Sequence, residues 1–309
     1  EDASSKITVE KPADVYYDGT EKKQPVTVKD EDTGVVLTPD TDYELTYTGD
    51  LVNVGTVTVK VTGKGNYTGV KETNYQILAK SISDANSGIK VDPIPDVPYT
   101  GEEQKQKPVV RDEKDNNKIL KEGVDYTLTY NGDTTKLGTV TVVITGMGNY
   151  SGTKDVTYQI VQGNIKVDPI PDVPFNSELK ELEPVVKDSI TGKPLVKDVD
   201  YKVEYSDASK PGKVTVTVTG MGNYTGKVET SYEITQGSIK VDPIPDVTYN
   251  GKPQIVEPVV RDELTGKPLV KDVDYTLTYE GDTTSVGKVT ITITGIGNYT
   301  GKKVVSYEI

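Results

Sequence analysis

The sequence predicts an all-β chain made of four tandem copies of one small two-sheet module. Three observations carry this. A set of landmarks recurs four times in one order, apolar and polar residues alternate strictly inside each copy, and no stretch keeps apolar residues at helical spacing.

The landmarks set the copies. Ile-Lys-Val-Asp-Pro-Ile-Pro-Asp-Val begins at Ile89, Ile165 and Ile239, with a diverged version over 7–15. An Asp-Tyr pair recurs at Asp42-Tyr43, Asp125-Tyr126, Asp200-Tyr201 and Asp274-Tyr275. Each copy then closes with Gly-Asn-Tyr-Thr/Ser-Gly, starting at Gly65, Gly148, Gly222 and Gly297. The period is about 75 residues, which divides the chain into 1–88, 89–164, 165–238 and 239–309. The first copy is longer because of an insert over 78–88.

The strands follow from alternation. Val57, Val59 and Val61 are interleaved with Thr and Lys, and the same pattern returns at Val140, Val142 and Ile144, at Val214, Val216 and Val218, and at Val289, Ile291 and Ile293. A period of two places apolar side chains on one face only, which marks a half-buried strand. Tyr43, Leu45 and Tyr47 alternate likewise, and the closing strand turns Tyr75 and Ile77 inward, echoed by Tyr158 and Ile160, Tyr232 and Ile234, and Tyr307 and Ile309. Earlier strands are expected over 7–9, 15–17 and 26–29, about seven short strands per copy. A strand with one apolar face needs a second sheet to cover it, so each copy is a sandwich. At this size the topology expected is immunoglobulin-like, without the Cys and Trp hallmarks of antibody domains. Tyrosines fill the aromatic part of the core with their hydroxyls at its edge, where they find hydrogen-bond partners. Phe175 stands where Tyr17, Tyr99 and Tyr249 stand, so at that position the ring packs and the hydroxyl is dispensable.

Short connectors over 161–164 and 235–238, followed each time by Asp-Pro-Ile-Pro, predict stiff joints. The Ser/Asn-rich insert over 78–88 is expected to be the most mobile point. At roughly 35–40 Å per copy, four copies laid end to end make an elongated rod on the order of 150 Å.

Composition narrows the function classes. The chain carries a formal net charge of −13, which repels nucleic-acid backbones and anionic membrane surfaces and keeps an extended molecule soluble. It has no Cys and no His, which removes disulfides, thiol chemistry, thiolate metal sites and the commonest acid–base residue. The first residues lack the basic-then-apolar pattern of a signal peptide, and the chain stops at the end of a strand, so it is read as a fragment or a mature piece.

The order Tyr-x-Gly (17–19), Leu-x4-Asp-Tyr (37–43), a Gly opening a Val/Thr strand (Gly55) and Gly-x-Gly-Asn-Tyr-x-Gly (63–69) resembles the bacterial immunoglobulin-like repeats of large Gram-positive cell-surface proteins. The likeness runs through all four copies. It implies a sandwich fold and a place in long wall-attached or secreted extracellular proteins, as a spacer between an anchor and a functional domain, the repeats being monomeric within a larger chain. It implies no catalytic residue, and a disulfide-free extracellular chain fits that setting. The third copy departs most, with Phe175-Asn176-Ser177 in place of Tyr-x-Gly and Pro211 in a shortened loop, which puts its turn geometry in question.

Candidate sites compete with plainer explanations. Asn66, Asn149, Asn223 and Asn298 match the N-glycosylation pattern, but Gly-x-Gly-Asn before a strand is first a turn that tolerates positive φ. The acidic groups Asp30-Glu31-Asp32, Asp112-Glu113 with Asp115, and Asp198 with Asp200 are candidates for calcium, yet none has a recognised loop spacing and Asp is favoured in turns anyway. No other cofactor is expected. Lys90, Lys166 and Lys240 recur as the amines an internal Lys–Asn isopeptide bond would need, with no Asn recurring on a buried face to receive them. Paired carboxylates are too plentiful to single out a glycosidase, and the Gly-rich motif leads into a strand, not into the helix a phosphate loop requires. The function expected is a non-catalytic stalk that projects another domain from the cell wall. The alternative is an adhesin gripping host glycan or matrix protein, which would be marked by an exposed aromatic with no packing role; none stands out among tyrosines at inward positions.

Overall fold

The computed structural model describes residues 7–309; the opening stretch 1–6, where a signal pattern was sought, lies outside them. The protein is all-β, four tandem immunoglobulin-like sandwiches, and the chain divides into two compact units, Glu1–Val161 and Gln162–Ile309.

In the first unit, Tyr43–Thr48, Gly55–Gly63 and Val70–Leu78 make an antiparallel meander, and Val15–Tyr16 adds to its last strand in parallel. Facing it, Ile7–Val9 pairs antiparallel with Val28–Asp30. The second copy repeats the plan. Its meander is Tyr126–Asn131, Gly138–Gly146 and Thr153–Val161, with Val97–Pro98 in parallel, and its facing sheet is Ile89–Val91, Val110–Asp112 and Lys118–Ile119. In the second unit the meanders are Tyr201–Tyr205, Gly212–Gly220 and Lys227–Thr235, then Tyr275–Glu280, Lys288–Gly295 and Lys302–Glu308.

The expected alternation is the core. Val57, Val59, Val61 and their counterparts in the other three copies are fully buried, and Tyr75 and Ile77 face them from the neighbouring strand. Each such side chain contributes roughly 1.5–3 kcal/mol by leaving water.

One expected element differs. The strand foreseen over 26–29 begins later, at Val28, and the residues before it pair with no strand. Their carbonyls are satisfied by tyrosine hydroxyls at every second residue: Tyr75 donates to Lys22 O, Tyr47 to Gln24 O at 2.6 Å, and Tyr43 to Val26 O at 3.3 Å. Two of these bonds recur in each later copy, with Tyr158 and Tyr130 on Gln104 and Gln106, Tyr232 and Tyr205 on Lys180 and Leu182, and Tyr307 and Tyr279 on Gln254 and Val256. A buried carbonyl without a partner costs about 1–3 kcal/mol, so these phenols close the sandwich edge where a proline (Pro25, Pro108, Pro184 or Pro258) interrupts donation from the backbone.

The Gly-x-Gly-Asn-Tyr turn behaves as its glycines suggest. The second glycine of each motif is left-handed (Gly65, Gly148, Gly222 and Gly297, φ from 62° to 65°), and a Cβ on the first would press on the turn backbone, at 2.8 Å for Gly63.

Candidate functional site

The residues of most chemical interest gather where one copy hands over to the next. Within the first unit, the insert expected to be the loosest point is tied down: Lys80–Ser81 is a strand, parallel to Tyr150–Ser151 at the closing turn of the second copy. Lys80 N donates to Asn149 O at 3.0 Å, Ile82 N donates to Ser151 O at 2.8 Å, and the Ile82 side chain is buried. Two aromatic rings lock the same place. Tyr17, from the first copy's Tyr-x-Gly, stands edge-on to Tyr150 with centroids 5.6 Å apart and planes at 76°. The Lys118 ammonium lies 5.9 Å from both ring centroids. Such aromatic pairs are worth about 0.5–1.5 kcal/mol beyond their buried area.

Beneath the rings sits an ion pair. The Lys80 ammonium lies 2.6 Å from both oxygens of Asp112, whose side chain is fully buried. Asp112 Oδ1 also accepts the amides of Lys114 at 3.1 Å and Asp115 at 3.2 Å, and Tyr150 donates to Oδ2 at 3.3 Å. Burial, and after it the Asp112 charge, pushes the Tyr150 hydroxyl well above the ordinary phenol range.

The second unit repeats the seat with different parts. Gly237–Val241 opens parallel to Tyr299–Thr300, and Gly237 N donates to Asn298 O at 3.0 Å. Phe175 stands edge-on to Tyr299 at 5.6 Å and 72°. Tyr299 donates to Asp262 Oδ2 at 3.0 Å and shares a 2.7 Å bond with the Ser177 hydroxyl. Its hydroxyl is pushed up to about 12, first by burial and then by the Asp262 carboxylate. Here the residue aligned with Lys80 is Gly237, where a Cβ would fall 2.7 Å from Phe175 O and 2.8 Å from the Tyr299 ring. Gly163–Asn164 pairs in the same way with Tyr224–Thr225. The connectors expected over 161–164 and 235–238 therefore carry ladder-paired residues.

The other sequence candidates are spread apart. The acidic groups do not converge: among the described residues no three His, Cys, Asp or Glu side chains are placed to hold a metal ion. The leading Asp of each acidic turn is a cap. Asp30 Oδ1 accepts the amides of Asp32 and Thr33 at 3.0 and 2.9 Å, and Asp188 and Asp262 repeat the arrangement. Asp200 Oδ2 caps its turn by accepting Val196 N at 2.9 Å, and Asp198 takes a left-handed backbone at φ 63°. Of the sequons, Asn149 is engaged, bonding Asn53 Oδ1 at 2.7 Å and accepting Val54 N at 2.8 Å across the joint. Lys90, Lys166 and Lys240 lie exposed, away from any apolar core. The questioned turn of the third copy keeps its shape: Ser177 takes φ 64°, close to the 74° to 83° of Gly19, Gly101 and Gly251.

Two features escaped sequence reasoning. The motif tyrosine was read as part of a turn, although it is also the seat of the joint; the recurring Val-Lys/Arg-Asp ahead of it (28–30, 110–112, 186–188, 260–262) supplies the carboxylate for its hydroxyl and was the available signal. The second is an exposed aromatic. Tyr16 is 65% exposed and Tyr249 54%. Tyr249 is the fourth copy's counterpart of Tyr17 and Phe175, with no following copy among the described residues to pack on. Tyr16 edges an open cleft of about 490 Å³ in the first unit, shared with Asp18, Lys80, Asp84, Asn86 and Lys114.

No protein-family model and no curated protein sequence matches the chain. Among solved structures it is similar to a protocadherin gammaB7 EC3-6 cis-dimer structure (9% identity, 98% of this chain and 99% of that one, TM-score 0.20). It is also similar to the N-terminal eight Ig domains of Down Syndrome Cell Adhesion Molecule (12%, 98% and 49%, 0.26) and to Drosophila N-cadherin EC1-4 (10%, 96% and 98%, 0.20). Likeness at this level assigns neither a partner nor an activity.

Proposed function

We propose that this chain is a non-catalytic spacer of an extracellular bacterial surface protein, with modules over 1–88, 89–164, 165–238 and 239–309 that hold another domain away from the cell wall. The observation that carries the reading is the joint. Within each unit, connector residues pair as a strand with the closing turn of the following copy, at Lys80–Ser81 and at Gly237–Ser238, and an aromatic edge packs beside that pairing. A strand-paired connector cannot swing without breaking backbone hydrogen bonds, which is what a stiff projecting stalk requires. The recurring motif positions are used up by turns, core and joints, leaving none that every copy offers for catalysis.

The test is small-angle X-ray scattering of the whole chain beside one lacking 165–238, which rejoins Asn164 directly to Ile239. A spacer loses roughly one module length, about 35–40 Å, from its maximum dimension. A maximum dimension that does not fall, or a full-length chain whose dimension is that of a compact particle, overturns the proposal. The alternative, an adhesin, has one observation in its favour, the exposed Tyr16 beside its cleft.

A further inference from the structure

The cleft of the first unit lies where the sequence breaks its own repeat twice. Tyr16 replaces the residue that is Pro98, Pro174 and Thr248 in the other copies, although the strand pairing is kept: Tyr16 pairs with Leu78 as Pro98 pairs with Val161 and Pro174 with Thr235. The insert over 78–88 exists at this joint alone. The two departures are more than sixty residues apart in sequence and line the same cleft. The sandwich itself requires neither, since the other copies fold without them; the insert packs inward through Ile82, and its remaining polar residues are left to the cleft.

The chemistry of the walls is specific. Tyr16 presents an exposed ring on an edge strand whose backbone is fixed by the ladder, so the ring is held as a platform at little entropic cost. Around it stand short polar groups on anchored backbone. Asn86 is exposed and its side-chain amide bonds to no described residue, while its own N–H is held by Asp84 Oδ1 at 2.9 Å and its carbonyl by the Lys114 ammonium. Ser81 and Asp84 add hydroxyl and carboxylate oxygens. An aromatic face is negative at its centre and matches the C–H face of a pyranose ring; amide and carboxylate groups at its border match the equatorial hydroxyls. Lys80 is neutralised by Asp112, and the carboxylates of Asp18 and Asp84 line the cleft beside Lys114, so the walls carry no excess of positive charge to draw an anionic ligand.

We propose that this cleft is a binding site for a neutral saccharide, with Tyr16 as the stacking platform and Asn86 and Asp84 as the groups that orient the sugar. The proposal goes beyond the spacer reading and stands or falls apart from it, because a stalk of unchanged length can carry or lack such a site.

The experiment is a titration of the whole isotope-labelled chain with lactose, chitobiose, cellobiose and maltotriose, following backbone amide shifts. The variants are Tyr16→Pro, which restores the residue two other copies carry and so leaves the ladder intact, and Tyr16→Phe, which keeps the ring. The expected result is saturable shifts at Ser81, Asp84, Asn86 and Lys114 with at least one sugar. Affinity should fall about tenfold or more in Tyr16→Pro and be retained within about threefold in Tyr16→Phe. Amides of the cleft that stay still with all four sugars to saturating concentration, or shifts equal in wild type and Tyr16→Pro, overturn the assignment. Binding of a peptide library to the same amides without any sugar response overturns it too.

Discussion

The joint inside the first unit and the joint inside the second solve one packing problem with different residues. Both place an edge-on ring against the tyrosine of a Gly-Asn-Tyr turn, with 5.6 Å between centroids, and both aim that tyrosine's hydroxyl at a buried, amide-capped aspartate. They part at the connector. The first sets Lys80 against Asp112, and the second has Gly237 with Ser177 completing the hydroxyl network. What the difference teaches is that the rings and the capped carboxylate form the constant seat, while the connector residue decides whether the joint is closed by charge or by close approach.

Removing the charge should have the largest effect. Lys80→Met leaves the Asp112 carboxylate buried without its cation, and breaking such a pair costs about 3–5 kcal/mol. Calorimetry should show the transition of the first unit lowered and that of the second untouched; a shift below one degree would mean that the capping amides and Tyr150 hold Asp112 unaided. Next in size is Gly237→Ala. Its Cβ meets Phe175 O and the Tyr299 ring, and overpacking costs about 1–3 kcal/mol. The second unit alone should melt earlier, and the mirror change Lys80→Gly should not recreate a stable glycine joint, because the first joint keeps its insert.

Alkali should separate the units by degree. Both seat tyrosines have folded-state values raised above the unfolded value near 10. A group whose value is raised on folding contributes stability that is complete below about pH 10 and is lost as pH rises through the folded value. For Tyr299 that window runs from about 10 to about 12, and for Tyr150 it extends higher. Denaturant midpoints should begin to fall together near pH 10 in both units and level off toward about 12 in the second while the first keeps falling; a first unit that levels off as early would break the distinction. The smallest effect is expected from Ser177→Gly. It gives up one hydroxyl bond to Tyr299, about 0.5–1.5 kcal/mol, but relieves a left-handed non-glycine residue at φ 64°. The net change in midpoint should be under about 1 kcal/mol, and a larger loss would make Ser177 a principal member of the seat.

Much of the fold was legible because it is local. Alternation at Val57, Val59 and Val61 identifies a one-faced strand whatever lies elsewhere, and glycines at 65 and 69 identify a turn from backbone sterics alone. Phe175 likewise replaces a tyrosine as its position in the repeat implies, since the ring packs on Tyr299 without needing a hydroxyl. Less legible was the stretch around Pro25, where a strand is expected from residue 26 and the pairing begins at Val28. Its carbonyls are in fact met by phenols some twenty to fifty residues away, and no local pattern records a side-chain donor at that separation. The cleft was illegible for the same reason: Tyr16 looks like one more inward tyrosine until its exposed side and the fold of the insert are known.

By itself, then, the sequence determined the number of copies, the strand faces and the turns, because each depends on neighbours within a few residues and on a period the chain repeats four times. Only the tertiary structure decided which tyrosine became a seat, that Lys80 would lie under a ring from another copy against Asp112, and that two departures from the repeat would line one cleft. Those outcomes depend on contacts between residues 32 to 133 positions apart, such as Lys80 with Asp112 and Tyr17 with Tyr150. At such separations it is the docking of finished sheets, and no local preference of the chain, that brings side chains together.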